Sequence, residues 1–244
     1  MYYGWRGVVG YVKPTQRPGT LEDFVKLMPD GVGVIPETVG IRMGSEQEFL
    51  KALEIAEQKV AELSKLGVDL VLIAGAPPTM VHGYGRDRAK AQELSQKYGV
   101  PVVTATMAQM EAFQALGVKR IVGISYFKDD LNPTFAKFLR DGGLEVLCMK
   151  GYEVPFGEVQ KIPPQEVYAF AKKVFLEADR PDGIYILGNG WRVLPIVRLL
   201  EQDLQTTVVA SLPAQIWATL RRLHIREPIP GYGKLLAEMP WDLS

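Results

Sequence analysis

A chain of 244 residues with 47% hydrophobic and 23% charged residues can bury a sizeable core, and it has the composition of a water-soluble globular protein. Twenty-eight Lys plus Arg balance twenty-eight Asp plus Glu, which argues against nucleic acid or an anionic membrane as the main partner. The single cysteine, Cys148, allows no internal disulfide, and Met1–Arg6 shows no charged segment leading into an apolar one, so a cytoplasmic location without a secretory leader is expected.

Gly7–Val12 is a short, β-branched apolar run and reads as a strand, followed by a short helix over Leu21–Met28. Gly31–Ile35 reads as a second strand, closed by Pro36. Ser45 and Glu48 have capping-box spacing, and Phe49, Leu53, Ala56, Val60, Leu63 and Leu66 recur at helical spacing until Gly67. Val68–Ala74 is apolar at nearly every position, as in a central parallel strand buried on both faces. No apolar stretch approaches the roughly 20 residues of a membrane span. Helices over Arg86–Tyr98, Met107–Leu116, Leu131–Arg140, Gln165–Ala178, Leu194–Leu204 and Ala214–Leu223 alternate with strands at Val100–Val103, Arg120–Ser125, Leu144–Met149, Gly183–Leu187 and Thr207–Ala210. This alternation predicts an α/β protein whose parallel sheets carry helices on both faces.

The chain also repeats itself weakly. Val8-Val9-Gly10 matches Ile121-Val122-Gly123; Asp69 matches Asp182 and Gly75 matches Gly188 at the same spacing. Val102-Val103 with Ala108-Gln109 matches Val208-Val209 with Ala214-Gln215 after a small shift. The repeat predicts two pseudo-symmetric Rossmann-like lobes, residues 1–105 with 208–244 and residues 106–207, with an active site in the cleft beyond the carboxyl ends of their strands. The tail Glu227–Ser244 carries five Pro or Gly residues with Tyr232 and Trp241. It is expected to pack on the first lobe or on a neighbouring subunit of a possible homo-oligomer.

The segments VVGYVKP, DLVLIAGAP, GISYF, DGIYILGNGW and LEQDLQTTVVAS with QIW, in this order, resemble the aspartate/glutamate racemase superfamily. The nearest resemblance within it is to the arylmalonate decarboxylase and maleate cis–trans isomerase branch. It implies two α/β lobes, no cofactor, and a cysteine after the central strand of each lobe. Here the first such slot falls on Gly75, as it does in the decarboxylases, and the second on Gly188-Asn189, with no thiol. Cys148 lies elsewhere and reads as a core residue. Two-thiol racemisation and cysteine addition of the maleate type are set aside accordingly. The two hydroxyl residues that the resemblance places after the first glycine are Ala76 and Pro77 in this chain, with Thr79 the nearest hydroxyl. The tyrosine that completes a carboxylate-binding hole survives as Tyr126, beside Phe127.

The candidate residues follow from these loops. Tyr126 is an oxyanion donor or general acid, or else an amphipathic residue capping the core. Lys13, in front of Pro14, binds a carboxylate or donates a proton, or is a solvated loop lysine; Arg17 and Lys128 are weaker candidates of the same kind. Backbone N–H groups of Gly75 and Ala76 are potential anion donors, whereas Pro77 and Pro78 have none. Gly188-Asn189-Gly190-Trp191 either approaches a ligand closely, with Trp191 as a wall and Arg192 as an ion partner, or is a tight turn with Trp191 in the core. His82, in a glycine-rich segment, is a lid-borne proton carrier or a surface histidine. Two histidines and one cysteine offer no metal-ligand spacing, and the glycines do not match the dinucleotide fingerprint. The expected function is a cofactor-independent lyase or isomerase acting on a small carboxylate, decarboxylation through an enediolate being favoured. A carboxylate-binding protein without chemistry, and a hydantoin-type isomerase or hydrolase, are the alternatives.

Overall fold

In the structure, a computed structural model that describes residues 3–242, the apolar runs become two four-stranded sheets. Met1, Tyr2, Leu243 and Ser244, where the expectations for the two chain ends begin and finish, lie outside the described residues. The first sheet contains β1 (Gly7–Lys13), β2 (Val32–Thr38), β3 (Leu70–Ile73) and β4 (Val102–Thr104) in the order β2-β1-β3-β4. The second contains β5 (Arg120–Ser125), β6 (Glu145–Gly151), β7 (Gly183–Ile186) and β8 (Thr207–Ala210) in the order β6-β5-β7-β8. Every pairing is parallel, so each crossover carries a helix. The helices are α1 (Thr20–Lys26), α2 (Glu46–Ser64), α3 (Pro77–Met80), α4 (Arg86–Tyr98), α5 (Ala105–Ala115), α6 (Asn132–Asp141), α7 (Pro164–Leu176), α8 (Leu194–Leu204), α9 (Ser211–Arg222) and α10 (Lys234–Glu238), with a 3₁₀ turn over Phe156–Lys161. Among the described residues no helix is long and apolar enough to cross a membrane.

The two sheets share one strand order, as the internal repeat predicts, and the repeated aspartates have one job. Asp69 accepts the Val8 N–H at 2.7 Å, and Asp182 accepts the Arg120 N–H at 2.8 Å. Each carboxylate thus pins the start of the first strand of its sheet to the start of the third. The Ser45–Glu48 capping box forms with both bonds at 3.3 Å.

The boundaries depart from expectation in instructive places. β2 runs through Pro36 to Thr38, because an edge strand does not need every N–H. Pro77 and Pro78, read as loop, open α3, where the first N–H groups of a helix have no partner anyway. The expected return to the first lobe at residue 208 is corrected: Thr207–Ala210 pairs with β7, from Gly183↔Thr207 to Ile186↔Ala210, and is the fourth strand of the second sheet. The tail also differs. Leu235 and Leu236 are buried, the Lys234 N–H donates to Glu201 of α8 at 2.8 Å, and Trp217 of α9 donates to the Pro240 carbonyl at 2.9 Å. It therefore packs on α8, β8 and α9, and the Arg6–Glu227 ion pair at 2.6 Å joins its beginning to the first lobe's start.

α5 and α9, each following the last strand of a sheet, pack against one another and tie the lobes together. Glu111 on α5 is buried and accepts from Arg222 on α9 at 2.8 and 3.1 Å. One apolar core runs from Val9 and Leu70 in the first sheet to Ile121 and Ile184 in the second. The lobes thus share one packed interface.

Candidate active site

The loops leaving β1, β3, β5 and β7 meet around a narrow cavity of about 40 Å³. Lys13, Pro14, Thr15, Arg17 and Pro18 line it from the first loop; Gly75, Ala76, Pro77 and Pro78 from the second. Tyr126 and Phe127 line it from the third, and Gly188, Asn189 and Gly190 from the fourth, with Ser211 at the start of α9. This is where parallel sheets place their sites, beyond the carboxyl ends of the strands. The remaining wall is largely apolar, with Ile41, Phe49 and Phe156.

Tyr126 stands at the centre of this arrangement. It is 6% exposed, with its ring 4.5 Å from Phe127 and edge-on to Trp191 at 5.2 Å. Its oxygen accepts the Gly190 N–H at 3.0 Å, while its own O–H has no acceptor among the described residues. Burial pushes the phenol above its ordinary range, and the Arg17 charge and the N–H groups of Gly190 and Asn189 offset this only in part. The phenol is therefore neutral, with a proton to offer, at physiological pH.

The glycines around it are required by close approach. Gly188 has φ +102°, and a Cβ there would stand 2.6 Å from Tyr126 Cζ and 2.8 Å from its oxygen. A Cβ on Gly190 would lie 2.9 Å from the same oxygen. The space beside the fourth loop that a side chain at 188 would occupy is filled by the phenol. Gly75, the counterpart of Gly188, has φ +89°, and a Cβ would meet Pro14 at 2.9 Å. The N–H groups of Gly75 and Ala76 make no hydrogen bond among the described residues.

The first loop is laid across the cleft by polar contacts. Lys13 Nζ donates to the Arg17 carbonyl at 2.9 Å, and Thr20 Oγ1 donates to the Asn189 carbonyl in the other lobe at 2.7 Å. Arg17 lays its guanidinium 3.9 Å from the Phe156 ring centre and donates to the Phe156 carbonyl. The Asn189 side chain has no partner for either its oxygen or its nitrogen, although both atoms are buried. Ser211 holds the fourth loop from below: its hydroxyl accepts the Gly188 N–H and Gln109 Nε2, each at 2.9 Å, and donates to the Ile186 carbonyl at 3.2 Å.

Thr79, His82, Lys128, Trp191 and Arg192 lie outside the lining. Thr79 is buried, with its hydroxyl donating to the Ala76 carbonyl at 2.8 Å and 3.0 Å from the Thr106 hydroxyl, which itself donates to Asp87. Trp191 is buried behind Tyr126 and supports its ring from the far side. His82 follows α3, and no residue of its glycine-rich segment lines the cavity: Tyr84 packs edge-on against Phe138 of α6 at 5.4 Å. Lys128 lines a separate, wider groove of about 1020 Å³ that shares Tyr126, Phe127 and Phe156 with the cavity as a common wall. Cys148 sits on β6 opposite Val122, and no cysteine lines the cavity. Ser211, Phe156 and Thr20 were not singled out from sequence; Ser211 alone carried a signal, since it follows a strand of the repeat that brings Gln109 and Gln215 into correspondence.

The architecture is shared with enzymes of known structure. A doubly substituted variant of arylmalonate decarboxylase in a liganded form superposes with a TM-score of 0.89, at 23% identity over 95% of this chain and 99% of that one. A singly substituted variant of the maleate isomerase of Pseudomonas putida S16, crystallised with maleate, superposes with a TM-score of 0.88, at 19% identity over 97% and 99%. Among curated proteins the chain is 24% identical to arylmalonate decarboxylase of Bordetella bronchiseptica over 94% of its length and 96% of the relative's. It is 22% identical to maleate isomerase of Geobacillus stearothermophilus over 91% of each. The arylmalonate decarboxylase family model matches residues 10–236, from the first strand of the first sheet into the last helix, and the chain is therefore a member of the arylmalonate decarboxylase family.

Proposed function

We propose that the protein is a cofactor-independent decarboxylase of a small activated dicarboxylate, with the cavity between the lobes as its active site. The observation that carries this reading is the Tyr126 phenol: buried, neutral, braced by the Gly190 N–H, with its own proton uncommitted, in one cavity with Gly75 and Ala76, whose N–H groups make no hydrogen bond among the described residues. Such donors match what decarboxylation needs. The bond to one carboxylate breaks and CO₂ leaves. The electron pair passes to the retained carboxylate as an enediolate, and a proton ends on carbon. Fixed donors in a water-poor site stabilise the charge that develops on the enediolate. The apolar wall of Ile41, Phe49 and Phe127 favours loss of the departing carboxylate, which it solvates poorly.

Tyr126 supplies the proton and recovers it from water, since its phenol is far more acidic than the threonine and serine hydroxyls of the lining and its own proton has no acceptor among the described residues. Lys13 holds the first loop in place through its bond to the Arg17 carbonyl. The small cavity seats the reacting carboxylates, and the rest of the substrate extends past Phe156 into the wider groove. The test is turnover of phenylmalonate, methylmalonate and maleate, followed by NMR for product and by calorimetry for binding, in the wild type and in Tyr126→Phe. Product formation that falls by roughly 10²- to 10³-fold in the variant supports the assignment. Wild-type binding without product identifies a carboxylate-binding protein instead. Turnover unchanged in Tyr126→Phe removes the phenol from the mechanism.

A further inference from the structure

The charges on the cavity wall are all of one sign. Lys13 and Arg17 line it, and no aspartate or glutamate does. Lys13 has spent a hydrogen bond on the loop carbonyl. Arg17 is half-buried and forms no ion pair: its contacts among the described residues are the Phe156 ring and carbonyl, with Tyr126 as its electrostatic neighbour. A guanidinium keeps its proton under such conditions and offers five N–H donors in a planar fork. A half-buried cation without a counter-ion is costly unless an anion completes it. Stacking on Phe156 fixes the plane of the fork and leaves its remaining donors free. The orphaned Asn189 amide, which lines the same cavity from the other lobe, is a second, independent sign that a polar ligand belongs there. Ala76, Pro77 and Pro78, on the facing loop, contribute no side-chain donor.

From this arrangement we infer that Arg17 is the residue that recognises the substrate's retained carboxylate, receiving it in a charge-assisted pair, with the Asn189 amide as the neutral partner of the same group. This rests on the proposed function and names what selects for an anion there. Phe156 is the positioning element: it carries the guanidinium, and Gly44 must be a glycine because a Cβ there would meet the Phe156 ring at 2.9 Å from Cγ. The assignment also explains why a loop with no regular structure is tied down at both ends, by Lys13 and by Thr20 across the cleft.

The experiment uses the whole protein and two probes, phenylmalonate and its uncharged diamide, with binding read by titration calorimetry. Arg17→Met is expected to weaken phenylmalonate about 10- to 100-fold, the loss of a hydrogen bond to a charged group. It should change diamide binding less than threefold, and Arg17→Lys should recover part of the loss. A purely structural role, holding Phe156, would instead weaken both probes alike and would overturn the inference. So would wild-type affinity for phenylmalonate in Arg17→Met. If that affinity persists while Tyr126→Phe loses turnover, only the Arg17 assignment falls. If the wild type binds neither probe nor maleate, the proposed function falls with it.

Discussion

Replacing Gly188 with alanine sets a methyl group against the phenol on which the cavity depends. The new carbon would lie 2.6 Å from Tyr126 Cζ and 2.8 Å from its oxygen, where carbon atoms do not approach. The ring is hemmed in, with Phe127 tilted against it at 4.5 Å and Trp191 edge-on at 5.2 Å. Overpacking of this kind costs about 1–3 kcal/mol. The backbone adds strain, because φ +102° is closed to a residue with a Cβ at a cost of roughly 1–3 kcal/mol. A total of about 4 kcal/mol lowers the melting temperature by roughly 10 °C in a chain of this size. Gly99 supplies the control: it has φ +68° at the end of α4, with nothing within 4 Å of a Cβ. Alanine there meets strain alone, about 1–2 kcal/mol. Urea unfolding followed by circular dichroism should separate the two variants by roughly 2–3 kcal/mol. In a Tyr126→Ala background the excess should vanish, which a double-mutant cycle measures directly. Equal costs at Gly188 and Gly99 would refute the claim that the phenol fills the space beside the fourth loop.

Thr79→Val should lower stability by about 1–3 kcal/mol, because Thr106 loses a buried partner, while KM stays at the wild-type value in a steady-state assay. Ser211→Ala strands the Gly188 N–H and Gln109 together, so it should both destabilise the fold and reduce turnover more than ligand affinity. At alkaline pH, burial holds Tyr126 and Tyr185 above the ordinary phenol value, so the folded chain keeps protons that the unfolded chain releases. Stability should be level up to about pH 10 and then fall as pH rises, a trend that Tyr126→Phe makes shallower in pH-dependent unfolding. At the acid end, hydrogen bonds from Lys90 and Lys97 hold Glu57 down to about 2, so its contribution is present above the ordinary glutamate range and is lost as pH falls toward that value. Glu57→Gln should flatten that limb, by a small amount because the ion pairs with Lys90 and Lys97 lie at the surface and are screened by solvent.

The two α/β lobes were legible in the sequence, since strand and helix differ in hydrophobic period and several runs are closed by Gly or Pro close to where the structure ends them, as at Pro14, Gly67, Gly99 and Gly117. Repeated Asp69 and Asp182, and Gly75 and Gly188, marked the duplication because one local job, pinning a strand or turning a loop, selects the same residue twice. The capping box at Ser45 and the position of Tyr126 just after β5 were legible for the same local reason. The side chains that face the cavity were not. Thr79 and Ser211 both carry hydroxyls near the ends of strands, yet one points into a buried threonine chain and the other under the fourth loop. Arg17 sits in a stretch with no period at all, and its direction is set by Phe156, 139 residues away. β8 joins the second sheet because its partner is β7, which no local pattern records. Hydrophobic period is a property of neighbours along the chain. The aim of a loop side chain, the partner of a strand and the absence of a counter-ion are properties of neighbours in space, and only the tertiary structure decided them.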